Sequence, residues 1–422
     1  MKHFITLSIY LFITVLSIKA QTVVVDSAAL GAGYVNDVYY SIPTYTKSST
    51  PSDWDVALSS RPSNPPNETV HATAIRVNGG RGVQMYKITT ADVNGFNTTF
   101  SSTDSASWKL LTDSPLSWDI GGSYTTRNPS DPFDYGWGNY DMSTHDLVGD
   151  SVYAIRTLAG TWKKLMVNKL AYDTAWFLTV ADFDNNNFQA LEINKQAAGG
   201  KNFVYLNLNT SSVMDKEPAA WDLLFTRYID IVPGPNGLQP YPVNGVLINK
   251  GVTAVKAYPV DVDHVNYTDF SSSMSPNINT IGYDWKTFVS TSFVIEDSAV
   301  YYVMAQDNNV YRLRFLSYRS SDVHTVFEIS TAINTTVAAT AKENGLVVYP
   351  NPSSESVMLI DFNAASDTEF RMLDLTGKTI QHGMLEARAQ HRFDVSAMSN
   401  GIYFIQIIKA GSVQTKSFVV NR

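Results

Sequence analysis

Between residues 22 and 331 of this 422-residue chain stand four histidines, His71, His145, His264 and His324. Imidazole is the side chain most often used to hold a metal ion, and it titrates near neutral pH. The thioethers of Met85 and Met142 are softer donors of the same kind. Cysteine is absent, which excludes zinc–thiolate sites, iron–sulfur clusters, disulfides and thiol nucleophiles. In DFDNNNF (182–188), Asp182, Asp184 and Asn186 alternate as in a calcium loop, but glycine is missing at the sixth position and glutamate at the twelfth. That stretch reads as a hairpin turn. No nucleophile elbow, H-E-x-x-H, phosphate-cradling glycine loop or dinucleotide fingerprint occurs. Asp and Glu number 39, so a carboxylate pair could still assemble in space without a mark in the sequence. The expectation is a non-enzymatic protein, with an extracellular glycan hydrolase as the distant alternative.

The elements that must position these donors are strands. Runs such as SVYAIRTLAG, AWFLTVADF, AVYYVMAQD and NVYRLRFLSY alternate apolar and polar residues between Gly, Pro and Asn clusters. The fold class expected is all-β. The net charge of −8 argues against a nucleic-acid partner, since polyanions attract basic surfaces. Residues 1–20, MKHFITLSIYLFITVLSIKA, read as a secretory signal peptide with cleavage before Gln21. No later stretch is long and apolar enough to span a bilayer as a helix, so no transmembrane segment is expected in the exported protein.

A Trp-Asp pair occurs three times, at Trp54-Asp55, Trp118-Asp119 and Trp221-Asp222. Propeller blades repeat at a steady period of about 40–45 residues, and these unequal intervals do not. A longer repeat fits. DVYYSIPTY, SDWDVALSS, IRVNGGRGVQMY and ADVNGF run in the same order as FVYLNLNT, AAWDLLFTR, VLINKGVTAVKAY and DHVNYTDF. The chain therefore reads as two tandem related β domains at 22–198 and 199–331, with Trp54 equivalent to Trp221, Tyr153 to Tyr301, and Trp118 in an insertion. In each pair the indole fills a core end and the Asp caps the preceding turn. Asn78-Gly79-Gly80 and Asn249-Lys250-Gly251 read as turns requiring positive φ. A linker is expected at 332–343, and a small C-terminal β-sandwich at 344–422.

In that last region Tyr349-Pro350-Asn351-Pro352, Met372-Leu373-Asp374-Leu375-Thr376-Gly377-Lys378, Ser399-Asn400-Gly401-Ile402-Tyr403 and Val419-Val420 stand in order. They resemble the C-terminal sorting domain of type A cargo of the type IX secretion system. The resemblance implies that residues 344–422 engage that machinery and carry the chain across the outer membrane of a Gram-negative bacterium. The domain would then be removed, and the protein released or attached to surface lipopolysaccharide.

The duplicated region resembles the HmuY-type haem-binding proteins through its YYS strand, its WD strand, VNGG, and the order W..YD...H before VYAIRT..G.WKKL. The resemblance covers roughly residues 23–331. It implies haem held by an axial pair of His or Met, a cell-surface or secreted location, and haem or host haemoproteins as partners. His145, in NYDMSTHDL, falls in the matching stretch, with His71 as second donor and Met142 and Met85 as substitutes. Tyr135, Trp137 and Tyr140 would line the slot. Aligning SVY with AVY places Phe293 opposite His145, which confines haem to the first copy. The alternative is a surface adhesin, or a glycan-binding or structural protein that holds no haem.

Overall fold

The structure is a computed structural model and describes residues 23–60, 73–172, 174–332, 346–361, 367–386, 390–409 and 412–421. The signal segment expected at 1–20, and the linker from residue 333 onward, lie outside the described residues. The chain divides into two compact units, Met1–Asn334 and Thr335–Arg422. The fold is all-β, and the helical segments are short 3-10 turns.

The first unit begins with β1 (Val23–Ala29), β2 (Asn36–Ser41), β3 (Thr46–Pro51), β4 (Val56–Ser59), β5 (Ile75–Val77), β6 (Gln84–Lys87) and β7 (Lys109–Leu111). It continues with β8 (Gly138–Tyr140), β9 (Leu147–Gly149), β10 (Val152–Arg156), β11 (Trp162–Ala171), β12 (Ala175–Asp182), β13 (Gln189–Asn194), β14 (Phe203–Asn207) and β15 (Ser212–Met214). It closes with β16 (Leu223–Gly234), β17 (Gly237–Ile248), β18 (Thr253–Ala257), β19 (Lys286–Val289), β20 (Ser292–Ile295), β21 (Val300–Met304), β22 (Val310–Arg319) and β23 (His324–Thr331).

These strands build two lobes. One contains the sheets β1-β23-β22-β21-β18 and β17-β16-β2-β3, closed around Tyr40, Phe225, Trp285, Tyr301 and Phe327. The other contains β13-β12-β11-β10-β6-β7, with β8 and β9 beside it, and β15-β14-β4-β5, closed around Trp137, Tyr153, Leu165 and Trp176. A further cluster, with Tyr39, Phe203, Tyr205, Trp118 and Trp221, joins the lobes.

The register displays the repeat. Tyr153 pairs with Leu165 and Lys87, and Tyr301 with Leu313 and Lys256. β11 is bulged between Val167 and Lys169, and β22 at the matching place between Phe315 and Ser317. β14 lies on β4 with Tyr205 opposite Ala57, and β2 lies on β16 with Tyr39 opposite Leu224.

The lobes, however, do not follow a boundary at 198/199. β1, β2 and β3 complete the lobe built from β16–β23, while their sequence counterparts β13, β14 and β15 complete the lobe built from β4–β12. Alternation of side chains fixes which face a strand buries and leaves its partner open. The sequence repeat and the spatial lobe are thus offset by three strands.

The indoles of Trp54 and Trp221 pack into the cluster that joins the lobes, as expected, but Asp55 and Asp222 take a different role. Asp55 accepts hydrogen bonds from the backbone N–H groups of Leu158 (2.7 Å) and Leu208 (2.7 Å). Asp222 accepts from Ile42 (2.8 Å) and Gln306 (2.9 Å). Each carboxylate is a buried staple between distant segments rather than a cap on the preceding turn, and burial raises the pKa of both. Asn78 Nδ2 donates to Trp54 O and Asn249 Nδ2 to Trp221 O, so the Asn of each following turn also serves as a staple. Positive φ falls on Gly82 and Gly251. Gly80 is required for another reason: a Cβ there would lie 1.9 Å from the Arg227 carbonyl oxygen.

The second unit has β24 (Leu346–Tyr349), β25 (Ser356–Asp361), β26 (Thr368–Leu373), β27 (Thr379–Leu385), β28 (Gln390–Asp394), β29 (Gly401–Lys409) and β30 (Ser412–Val420). Sheets β24-β25-β28 and β27-β26-β29-β30 close on Val357, Leu359, Phe370, Phe393, Ile405 and Phe418 as a small sandwich.

Candidate functional site

His145 sits in the turn between β8 and β9, exposed, with φ of 60°. Its N–H donates to Asp141 O (2.8 Å), and Asp141 Oδ1 accepts from Ser143 N and Oγ, which holds that carboxyl below its usual pKa. The imidazole Nδ1 is hydrogen-bonded to the Tyr140 hydroxyl (2.6 Å), and the ring meets Tyr172 edge-on at 5.7 Å. Tyr140 in turn stacks on Phe133. This leaves Nε2 as the nitrogen that would reach a metal.

Of the other expected donors, Met85 does not join it. Met142 shares the turn and is 69% exposed. Met85 lies on β6 between Ile155 and Leu111 and is fully buried in a lobe core, so it is corrected from a substitute ligand to a core residue. Its place in an alternating strand turns the side chain inward. His71 lies outside the described residues. Trp137, expected at a slot wall, is buried against Trp176 and donates to Thr73 O (3.1 Å). Among the described residues no group of His, Asp and Glu is arranged to hold a metal ion. Of the expected donors that the structure describes, His145 and Met142 stand exposed on one turn and Met85 is sealed in a core.

The segment 182–188 is a turn between β12 and β13, as its sequence suggests. Asp182 is paired with Lys163 and accepts from Asn187 Nδ2, and Asp184 accepts from Asn186.

A second place was not anticipated from the sequence. Between the lobes lies a cleft of about 250 Å³, walled by Tyr39 of β2, Trp54, Arg76 of β5, Trp118, Tyr205 of β14 and Tyr228 of β16. Tyr39 and Tyr205 join through their hydroxyls at 3.1 Å, and burial pushes both phenols well above their usual pKa. Asp37 accepts from Thr226 Oγ1 (2.6 Å) and Trp54 Nε1 (3.3 Å), and burial raises its pKa against those donors. Arg76 lies over the Trp118 ring at 4.9 Å, pairs with Asp113 and donates to Ser117 O. Burial raises the Asp113 pKa, opposed by Arg76.

Trp118 belongs to the insertion, yet its Nε1 donates across the cleft to Ile248 O (2.8 Å), and Asp119 pairs with Lys250. The Trp118-Asp119 pair therefore ties one lobe to the other. The displacement that carries FVYLNLNT back onto DVYYSIPTY also carries Tyr205 onto Tyr39, and this was the available signal for the site.

No described helix is long and apolar enough to cross a membrane. No curated protein matches the chain. Residues 347–421 match the family model described as a secretion system C-terminal sorting domain, and the match does not reach the lobes. With the sandwich of the second unit in the same place, residues 347–421 are a type IX secretion sorting domain, and the protein is one delivered to the outer-membrane surface or beyond it.

Proposed function

We propose that the first unit is a non-enzymatic ligand-binding module presented outside the outer membrane, with the cleft between the lobes as its site. One observation carries this reading. The cleft is concave, largely apolar and furnished with a few convergent polar groups, the usual make-up of a small-molecule site. Its carboxylates Asp37 and Asp113 are each held by internal donors, so neither stands free as a general acid or base. The test is intrinsic fluorescence of the full chain, because Trp54 and Trp118 line the cleft. A cleft ligand shifts that emission, and Leu110→Trp, at the exposed rim, abolishes the response while leaving thermal unfolding unchanged.

A second reading, haem at His145, is favoured by the Tyr140 phenol, which fixes the imidazole through Nδ1 and turns Nε2 outward beside Tyr172. Iron ligation there would need a further donor, for which His71 is the candidate. The cleft is too small for a porphyrin, lying below the roughly 300–1,000 Å³ of drug-sized pockets, so the two readings concern different surfaces. A Soret shift on adding haemin that His145→Ala removes supports haem at this turn. An identical spectrum for the variant rejects it.

A further inference from the structure

We infer that the cleft takes a single neutral, hydroxylated ring, a sugar residue, and anchors it through the Tyr39–Tyr205 phenol pair. This rests on the reading of the cleft as a ligand site.

The charges of the cleft argue first. Arg76 is paired with Asp113 and donates to a backbone carbonyl, Asp37 is held by Thr226 and Trp54, and the Tyr228 hydroxyl donates to Asp230. Arg227, at the rim, lays its guanidinium on the Tyr34 ring at 4.4 Å. No buried charge in the cleft is left to select an anionic group or an amine, and bringing a charged ligand into it would cost desolvation without a partner.

The phenols argue second. Two hydroxyls carry two protons, and the single bond between them uses one. Both side chains are buried and both line the cleft. The remaining O–H is a donor left for a ligand oxygen, and the lone pairs of the pair can accept from a ligand hydroxyl. A buried polar pair with hydrogen-bonding capacity left over fits a ligand that carries donors and acceptors on neighbouring atoms.

The walls and the size argue third. Trp54, Trp118 and Tyr205 supply aromatic surface whose negative faces attract the polarised C–H bonds of a sugar ring. A volume of about 250 Å³ admits one ring, either a free monosaccharide or the terminal residue of a glycan.

The experiment uses the full chain and follows tryptophan emission and heat of binding. The probes are glucose, galactose, mannose and N-acetylglucosamine, then glucuronic acid and glucosamine as charged counterparts. The expected result is binding of a neutral sugar, blocked by Leu110→Trp, with the charged counterpart of that sugar at least tenfold weaker. The double variant Tyr39→Phe/Tyr205→Phe removes both partners of a buried bond without change of shape, so it folds normally. Its sugar affinity falls by about tenfold, the effect of losing one hydrogen bond. An oligosaccharide ending in the responding residue separates the two sources: equal affinity points to a glycan end, and loss of binding to the free sugar. If a charged probe binds in a manner blocked by Leu110→Trp and no neutral sugar does, the sugar inference falls and the cleft reading stands. If the double variant binds sugar as the parent does, the phenol anchor is wrong. If no probe gives a response sensitive to Leu110→Trp, both the cleft reading and the sugar inference fail.

Discussion

The hydroxyl of Tyr39 lies 3.1 Å from that of Tyr205, and the two residues hold the same register position in the two repeats. Around them the arrangement is duplicated. Tyr39 meets Trp221 edge-on at 5.2 Å and 71°, and Tyr205 meets Trp54 at 5.1 Å and 71°. The pair therefore marks an approximate two-fold axis within one chain, and the cleft opens beside it.

Lobe completeness differs along the chain, and this can be tested by fragments. β4 to β15 hold every strand of their lobe in one continuous stretch, whereas β16 to β23 need β1–β3 from the start of the chain. A fragment of residues 52–218 is expected to give a cooperative melt, and a fragment of residues 199–332 is not. Cooperative melting of the second fragment by circular dichroism would contradict the strand exchange.

Asp55 and Asp222 each use both carboxylate oxygens on backbone donors. Asn at either position presents an amide N–H₂ to one of those donors, so Asp55→Asn and Asp222→Asn are expected to lose about 1–3 kcal/mol each in urea unfolding. A loss near zero would remove the staple role.

Lys286 is buried against Trp285, with its ammonium 3.8 Å from that ring and donating to Asn244 O (2.7 Å). Burial lowers its pKa to about 7. The unfolded chain binds this proton more tightly than the fold does, so stability from this group rises as pH goes from about 7 towards the ordinary lysine value near 10.4. Below about pH 7 the burial cost is present in full. Lys286→Met is expected to flatten the slope of melting temperature between pH 7 and 10. A slope unchanged by the substitution rejects the assignment.

Gly80 lies where the turn after β5 meets the backbone of β16, with no room for a Cβ. Gly80→Ala forces that wall of the cleft outward, with an expected cost of about 1–3 kcal/mol. Chemical denaturation measures the cost, and weakened binding of whatever ligand the cleft takes is the functional sign.

The sorting domain has a core of its own. Deleting residues 344–422 is expected to leave the lobes folded but held in the periplasm, which cell fractionation reads directly. Normal surface display of the shortened chain would refute this.

Much of this architecture is legible in the sequence because strand alternation and turn residues are local. The strands in SVYAIRTLAG and AWFLTVADF and the sandwich at the C-terminal region all lie in stretches whose patterns speak for themselves. What is not legible depends on partners far away in the chain. Nothing in VVVDSAA names β23 as its neighbour, and nothing in SDWD shows that Asp55 reaches Leu158 and Leu208. The donors suggested by residue type separate for the same reason. Met85 alternates into a core, His145 stands on an exposed turn, and the phenol pair of the cleft comes from two strands with no local mark of their meeting.

The pairing of β1 with β23 sets Val23 beside Ser330, and this imposes an order in time. The first strand of this unit must wait for its last, because closing so long a loop costs entropy and slows the event. The lobe of β4–β15 needs no such delay. An emerging chain therefore carries one finished lobe and one open sheet until residue 331 is free, and a chain cut short before that point keeps an unpaired edge that marks it as incomplete.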